Sequence, residues 1–177
     1  MQKKVDVAII IGSKSDAVLI NETVKTLDEF KVSYSLNIAS AHRTVKHLKD
    51  CIKHASAHSK VFIAAAGMSA ALPGVIASET ILPVIGIPVK CDSFGLDSFF
   101  SMLQMPKGIP NATVSIGRTG AINAAILAVQ IIALNDENLK TKLKNYRTKM
   151  METIINENLI LQKKGIKKYI EGLKYVD

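Results

Sequence analysis

Short apolar runs alternate with segments of helical periodicity along most of this 177-residue chain. The first run, Val5 to Ile11, is almost continuously apolar, which is typical of a strand in a parallel sheet that is covered on both faces. The alternation continues through five strand and helix cycles, and crossovers between parallel strands are right-handed. The sequence therefore predicts an α/β fold with a three-layer, doubly wound parallel sheet of the flavodoxin-like or Rossmann-like kind.

Turn and capping signals give approximate boundaries for these elements. Ser15 or Asp16 can cap the first helix and Thr44 the second, because their side-chain oxygens accept bonds from free N–H groups of a first helical turn. The strands are expected at residues 5–11, 32–38, 61–66, 83–89 and 112–116, and the helices at about 16–30, 44–55, 69–79, 96–102 and 120–134.

Two further helical stretches, about 136–151 and 152–173, follow the last α/β cycle. We assign residues 1–151 to one α/β domain and residues 152–177 to a helical extension that is expected to contact other subunits. The alanine-rich helix 120–134 is apolar on several faces, which suggests that copies of the chain associate. The sequence thus predicts a homo-oligomer with extra helices at its carboxyl end.

Composition narrows the class of protein. A hydrophobic share of 48% with 21% charged residues excludes a disordered chain. Cys51 and Cys91 lie in different segments and are interpreted as packed thiols, not as a disulfide framework or a zinc site. No apolar run is long enough to span a membrane, and the amino terminus has no signal-peptide pattern. A cytoplasmic protein with no membrane partner is expected.

The formal net charge of +8 comes largely from lysines near the carboxyl end. These lysines alternate with Leu, Ile and Tyr, as they do on the solvated face of an amphipathic helix. No RNA-binding aromatic motif and no zinc finger accompanies them. Binding to nucleic acid is therefore not expected.

Two polar loops are the strongest signs of a binding site. Gly12-Ser13-Lys14-Ser15-Asp16 follows the first predicted strand, and Ser40-Ala41-His42-Arg43-Thr44 follows the second. Ligands of doubly wound sheets bind beyond the carboxyl ends of the strands. We therefore expect these loops to meet at one sheet edge, together with the loops 67–69, 90–95 and 117–120.

The residue types in these loops favour a small phosphorylated ligand. Ser13 offers a hydroxyl, Asp16 can accept bonds from a ribose diol, and the guanidinium of Arg43 suits a phosphate monoester. His42 can move a proton, because imidazole titrates near neutral pH. The alternatives are that Ser15 and Asp16 only cap a helix and that His42 is structural. Neither a G-x-G-x-x-G nor a Walker A pattern is present, which disfavours a dinucleotide or nucleoside triphosphate site.

Three other histidines, His47, His54 and His58, fall within or at the end of the second helix. His54 and His58 are four residues apart, so a metal pair is conceivable. Without carboxylates or cysteines beside them, they are interpreted as part of a solvated face.

Several strings carry a resemblance to a known family over about residues 5 to 150: GSKSD, SAHRT, AALPG, LPVIGIPV, DSFFSMLQMPKGIP and SIGRTGAINAA. In this order they resemble the class I N5-carboxyaminoimidazole ribonucleotide mutases of de novo purine synthesis. The resemblance implies a cofactor-free and metal-free isomerase that moves a carboxylate from the exocyclic nitrogen to ring carbon four of the ribonucleotide. It also implies a homo-octamer.

The resemblance also implies roles for particular residues. His42 is the general acid and base, Ser13 and Arg43 hold the phosphate, and Asp16 holds the ribose hydroxyls. Ser40, Gly67 and Leu72 complete the expected substrate-binding set.

The chain departs from the family at Ala71, where members typically have a second histidine. If that histidine assists proton transfer in the family, a reduced rate or a different pH dependence is expected here. The departure also favours the alternative of a non-catalytic, flavodoxin-like nucleotide-binding module. A second alternative is the class II activity, in which aminoimidazole ribonucleotide is carboxylated directly by carbon dioxide.

Overall fold

A five-stranded, all-parallel sheet forms the centre of the protein. The computed structural model describes residues 4–91 and 94–173. The strand order is β2-β1-β3-β4-β5, which is the flavodoxin-like order and confirms the predicted fold class. The strands are β1 Val7–Ile11, β2 Tyr34–Ile38, β3 Val61–Ala66, β4 Val84–Pro88 and β5 Ala112–Thr113.

Helices cover both faces of the sheet. One apolar core lies between the sheet and α2, α3 and α4, and it includes Leu48, Ile52, Phe62, Ile76 and Met102. On the other face α1 packs against α5, and α5 also contacts β3 and β4. The helices are α1 Ala17–Phe30, α2 Val45–Ser56, α3 Leu72–Glu79, α4 Leu96–Leu103 and α5 Arg118–Ala133.

The central strands are the most deeply buried part of the molecule. Every residue of β1, β3 and β4 is buried, whereas β2 at one edge of the sheet is partly exposed. This difference follows the sequence, because β1 and β3 are continuous apolar runs and β2 alternates apolar with polar residues.

The alanines of α5 allow a close approach to α1. Thr23 on α1 donates a buried hydrogen bond of 2.9 Å from its hydroxyl to the carbonyl of Ala121 on α5. The five alanines from which association of copies was inferred are all buried within the single chain: Ala121, Ala124, Ala125, Ala128 and Ala133. They therefore do not argue for contact between copies, because α1 and the sheet already cover this helix.

Several element boundaries differ from the sequence expectation. The helix expected from residue 69 begins at Leu72, which places Pro73 at the start of its first turn, where proline is favoured. Strand β5 has two residues instead of five. The N–H of Val114 still bonds the carbonyl of Gly86, and the N–H of Gly117, one residue beyond the regular register, bonds the carbonyl of Pro88.

The carboxyl-terminal helix also differs from expectation. The backbone divides into two compact units, Met1–Asp136 and Glu137–Asp177. Helix α6, Glu137–Leu173, continues through Met151 and is interrupted at Gly165 (φ 70°, ψ 157°). Only glycine adopts such a backbone readily. Among the described residues, no helix is both long and apolar enough to span a membrane.

Candidate active site

A cleft of about 610 Å³ lies at the carboxyl ends of β1, β2 and β3. Strand β1 lies between β2 and β3, so the chain winds in opposite directions from this point, which is where doubly wound sheets bind their ligands. The cleft is lined by Gly12, Ser13, Ser15, Asp16, Ser40, Ala41, His42, Arg43, Ala66, Gly67, Met68, Ser69, Ala70, Ala71, Leu72 and Cys91.

All of the site residues expected from the sequence line this one cleft: Ser13, Asp16, Ser40, His42, Arg43, Gly67 and Leu72. Of the five loops expected at this edge, the loop 117–120 does not contribute to the lining. The loop 90–95 contributes Cys91, while Asp92 and Ser93 lie outside the described residues. The structure therefore concentrates the candidate site on the loops that follow β1, β2 and β3.

A capping box shapes the loop after β1. Residues Lys14–Asp16 form a 3-10 turn whose N-cap is Ser13, with the Ser13 Oγ accepting bonds from the N–H and the hydroxyl of Ser15 (3.4 and 3.0 Å). The carboxylate Oδ2 of Asp16 accepts a bond from the Ser13 N–H at 3.1 Å. Ser13 is therefore the cap of the 3-10 turn, while Asp16 is the N-cap of α1 by position, as expected, but its side chain makes no capping bond to α1. Since the Ser13 Oγ accepts in both bonds, its own hydroxyl hydrogen can be donated to an anionic ligand.

Asp16 is a buried carboxylate at the base of the cleft. Desolvation raises the pKa of Asp16 above its ordinary value of 3.8, although bonds from Ser15 and Ser13 and the charge of Arg43 oppose this rise. The folded state therefore holds the Asp16 proton more tightly than the unfolded state does. At neutral pH the charge on Asp16 lowers the free energy of unfolding. This loss of stability diminishes as the pH falls through the raised pKa and the carboxylate takes up its proton.

Asp16→Asn is accordingly expected to melt at or above the temperature of the wild-type protein at pH 7. An amide keeps one acceptor for Ser13 and removes the desolvated charge. The advantage over wild type should shrink as the pH is lowered through the raised pKa, since wild-type Asp16 is then neutral too. Thermal melts at matched protein concentration and several pH values measure this difference. A clear loss of melting temperature at pH 7 would show that the carboxylate stabilises the fold.

The loop after β2 is organised around Ser40. Its Oγ accepts bonds from the backbone N–H groups of His42 and Arg43 (3.4 and 3.2 Å) and from the Nε of Arg43 at 3.4 Å. The Ser40 N–H donates to the hydroxyl oxygen of Thr44 at 2.8 Å. Thr44 is the N-cap of α2 by position, but its side chain bonds Ser40 and not the first turn of α2.

Arg43 joins the first two loops. Its terminal nitrogen donates a 3.2 Å bond to the carbonyl of Gly12, and its charge acts on the carboxylate of Asp16. Arg43 and His42 are both exposed, so each is accessible to a ligand in the cleft. An imidazole, a guanidinium, a hydroxyl and a carboxylate therefore border the same space.

The loop after β3 forms the wall opposite these polar groups. A Cβ atom at Gly67 would lie 2.5 Å from the sulfur of Cys91, so glycine is what allows the thiol to reach the cleft. The loop 90–95 was expected at this edge, but Cys91 itself was not expected in the site, because both cysteines were interpreted as packed thiols. Ala71 also lines the cleft, and it contributes no second imidazole there.

The described residues contain no group of three or more His, Cys, Asp or Glu side chains arranged to hold a metal ion. The cleft is lined by hydrogen-bond donors and by the positive charge of Arg43, an arrangement suited to an anionic organic ligand.

Comparisons with known proteins agree with this arrangement. A family model described as AIR carboxylase matches residues 6–153. The N5-carboxyaminoimidazole ribonucleotide mutase of Pyrococcus abyssi is 44% identical over 168 residues, which cover 94% of this chain and 95% of that protein. The mutase of Methanocaldococcus jannaschii is 48% identical over 148 residues, covering 84% and 92% of the two chains. The crystal structure of Treponema denticola PurE superposes with a TM-score of 0.81 at 34% identity, covering 88% of this chain and 97% of that chain.

Proposed function

Because this chain belongs to the AIR carboxylase family, we propose that it is an isomerase of de novo purine biosynthesis. It converts N5-carboxyaminoimidazole ribonucleotide to 4-carboxy-5-aminoimidazole ribonucleotide. The observation that carries the proposal is the similarity to proteins named as mutases over most of both chains. The cleft supports it, since it brings His42 together with groups suited to a phosphorylated ribose.

The polar groups of the cleft are proposed to hold the phosphate and the ribose of the ribonucleotide. Arg43 and Ser13 bind the phosphate through charge-assisted bonds, while Asp16 accepts bonds from the ribose hydroxyls. Ser40 supports Arg43 through its bond to Nε. Gly67 and Leu72 belong to the less polar wall, against which the imidazole base of the substrate lies.

His42 is proposed to move the proton in both halves of the reaction. As an imidazolium it protonates the carbamate nitrogen while the bond from that nitrogen to the carboxyl carbon breaks, which releases carbon dioxide and neutral aminoimidazole. Ring carbon four then attacks the carbon dioxide, and the neutral imidazole of His42 takes the proton that this carbon loses. His42 is thereby returned to its starting state, so no other reactant is consumed.

Water must be kept from the carbon dioxide between these two steps. The loop from Ala66 to Leu72 provides mainly apolar surface beside the polar groups. The walls of this loop are proposed to keep the carbon dioxide within reach of the ring.

An assay with either carboxylated ribonucleotide tests the function. Interconversion is expected in the presence of a metal chelator and without ATP or biotin. Aminoimidazole ribonucleotide with bicarbonate, tested in parallel, measures direct carboxylation, which is the activity of the class II alternative. Binding of the ribonucleotide without any isomerisation would support a non-catalytic nucleotide-binding module instead.

Arg43→Ala is expected to weaken binding of the phosphorylated product about tenfold or more, because a hydrogen bond to a charged group contributes roughly 1.5–3 kcal/mol. Calorimetric titration measures the affinity. Arg118→Ala is the matched control, since Arg118 is an exposed arginine that pairs with Glu22 outside the cleft. An equal loss of affinity for the dephosphorylated nucleoside would show that Arg43 contacts a part of the ligand other than the phosphate.

We further propose a cytoplasmic homo-octamer, with the octameric state resting on the family resemblance. Exposed apolar side chains on and beside α4 support association of copies: Phe94, Leu96, Phe100 and Leu103. A cluster of this kind is typical of an interaction surface. The extension 152–177 is proposed to contact other subunits. Light scattering that reports 19.2 kDa for the full chain at micromolar concentration would contradict this proposal.

A further inference from the structure

A stripe of metal-binding residue types runs along one side of α2, outside the candidate active site. His47, Cys51, His54 and His58 follow one another at intervals of four, three and four residues. Residues at such intervals share one face of a helix, which holds here for His47, Cys51 and His54, while His58 follows the end of α2 at Ser56. His47 and His54 are exposed, and Cys51 and His58 are half-buried. None of the four lines the cleft.

The first pair of the stripe, His47 and Cys51, has the spacing of two ligands on one metal ion. The sulfur of Cys51 lies 3.6 Å from Nε2 and 4.0 Å from Nδ1 of His47. Zinc–sulfur and zinc–nitrogen bonds of about 2.3 and 2.0–2.1 Å, meeting at a tetrahedral angle, place the two ligand atoms about 3.6 Å apart. The Cys51 sulfur and the His47 Nε2 are therefore already separated by the distance expected between two ligand atoms of a tetrahedral zinc site.

The charges around this pair are mixed, because Asp50 and three lysines, Lys46, Lys49 and Lys53, lie on the same helix. Asp50 follows His47 by three residues and precedes His54 by four, so its carboxylate lies beside the stripe. The buried residues of α2, Leu48, Ile52 and Ala55, lie on its core face. His47 is exposed to ions in solution, whereas Cys51 is half-buried and packs against the edge of the core cluster.

The second pair of the stripe is less suited to the same ion. The rings of His54 and His58 are 4.8 Å apart between centroids and tilted by 44°, and Nδ1 of His58 is buried without a hydrogen-bond partner. This pair has no thiol, so it would hold zinc through imidazole nitrogens alone.

We propose that His47 and Cys51 form a surface site for a borderline-soft transition metal ion such as Zn²⁺. A ring nitrogen of His47 and the thiolate of Cys51 are the protein ligands, and water completes the tetrahedral shell. Binding releases the thiol proton of Cys51 to solvent. The site is independent of the isomerase proposed above, because the reaction uses none of these residues.

Titration of the tag-free, metal-free full chain with ZnCl₂ tests the proposal by calorimetry. Saturable binding of one ion per chain is expected, and Cys51→Ser or His47→Asn should weaken it at least about tenfold. Cobalt(II) used in place of zinc should give a near-ultraviolet thiolate charge-transfer band that Cys51→Ser removes. Cys91→Ser is the matched control and should leave both signals unchanged, since the chain has two cysteines.

Three results would overturn the proposal. Wild-type protein that binds no zinc saturably would exclude the site. Binding that survives Cys51→Ser but is lost in the His54→Asn, His58→Asn double variant would place the ion at the imidazole pair. Binding lost in His42→Asn would place it in the cleft. Because His47 is exposed, failure of the His47→Asn variant to fold is not expected to obscure these outcomes.

Discussion

Replacement of His42 by asparagine is expected to lower kcat by about 100- to 10,000-fold, the usual contribution of general acid and base catalysis. His42 is the one imidazole among the residues that line the described cleft, so no neighbouring histidine can take over its proton transfer. Asparagine has a similar size but does not titrate. The His42 side chain is exposed in the wild-type protein. The loop that carries it is held by bonds from the backbone N–H groups of His42 and Arg43 to the Ser40 hydroxyl. The fold and the affinity for the product should therefore be nearly unchanged.

Steady-state kinetics, product titration and a thermal melt measure these quantities. His47→Asn is the matched control, because it removes an exposed imidazole that lies outside the cleft, and it should keep wild-type turnover. If His42→Asn retains more than about a tenth of the wild-type rate, His42 is not the principal acid and base.

Gly120→Ala is expected to destabilise the fold by about 3 kcal/mol or more, since overpacking against rigid atoms is among the more damaging single changes. A Cβ atom at position 120 would lie 1.6 Å from the carbonyl oxygen of Ser115 and 2.7 Å from its carbonyl carbon. Both are backbone atoms, so no rotamer change relieves the contact. Either the first turn of α5 or the segment after β5 has to move.

For a chain of this size, a loss of that magnitude lowers Tm by about 6–12 °C at a fixed protein concentration. Gly172→Ala is the control, because a Cβ atom at Gly172 meets no atom within 4 Å, and its Tm should match wild type closely. A Gly120→Ala variant with wild-type stability would mean that the segment around Ser115 can be displaced without cost.

Periodicity was sufficient to predict the arrangement of the sheet but not the ends of its elements. Continuous apolar runs identified the buried strands β1 and β3, because burial on both faces requires them to be apolar throughout. The short length of β5 reflects the bond from the Gly117 N–H to the carbonyl of Pro88. This bond joins residues far apart in the chain, so local sequence patterns do not predict it. The break in α6 is at Gly165, and a single glycine within a helical pattern is a weak signal.

The candidate site was largely predictable because topology brings the loops after β1, β2 and β3 together. Cys91 was missed, since its position in the cleft depends on the close approach of β4 to Gly67. The bond from Arg43 to the Gly12 carbonyl was also beyond prediction, because the sequence gives no side-chain conformation. The spacing of His47 and Cys51 was present in the sequence, but the histidines were considered without the cysteine between them.

The bonds of Ser40 and Arg43 have a consequence for the kinetics of ligand capture. Ser40 fixes the loop after β2 through three N–H donors, and Arg43 fastens that loop to Gly12. Preorganisation of this kind lowers the entropy that a ligand must remove from the protein when it binds. The Arg43 guanidinium has five N–H donors and its Nε and one terminal nitrogen bond Ser40 and Gly12, so it can bind an incoming phosphate without releasing the loop. Loss of the bond to Gly12 should therefore alter the dissociation rate more than the association rate.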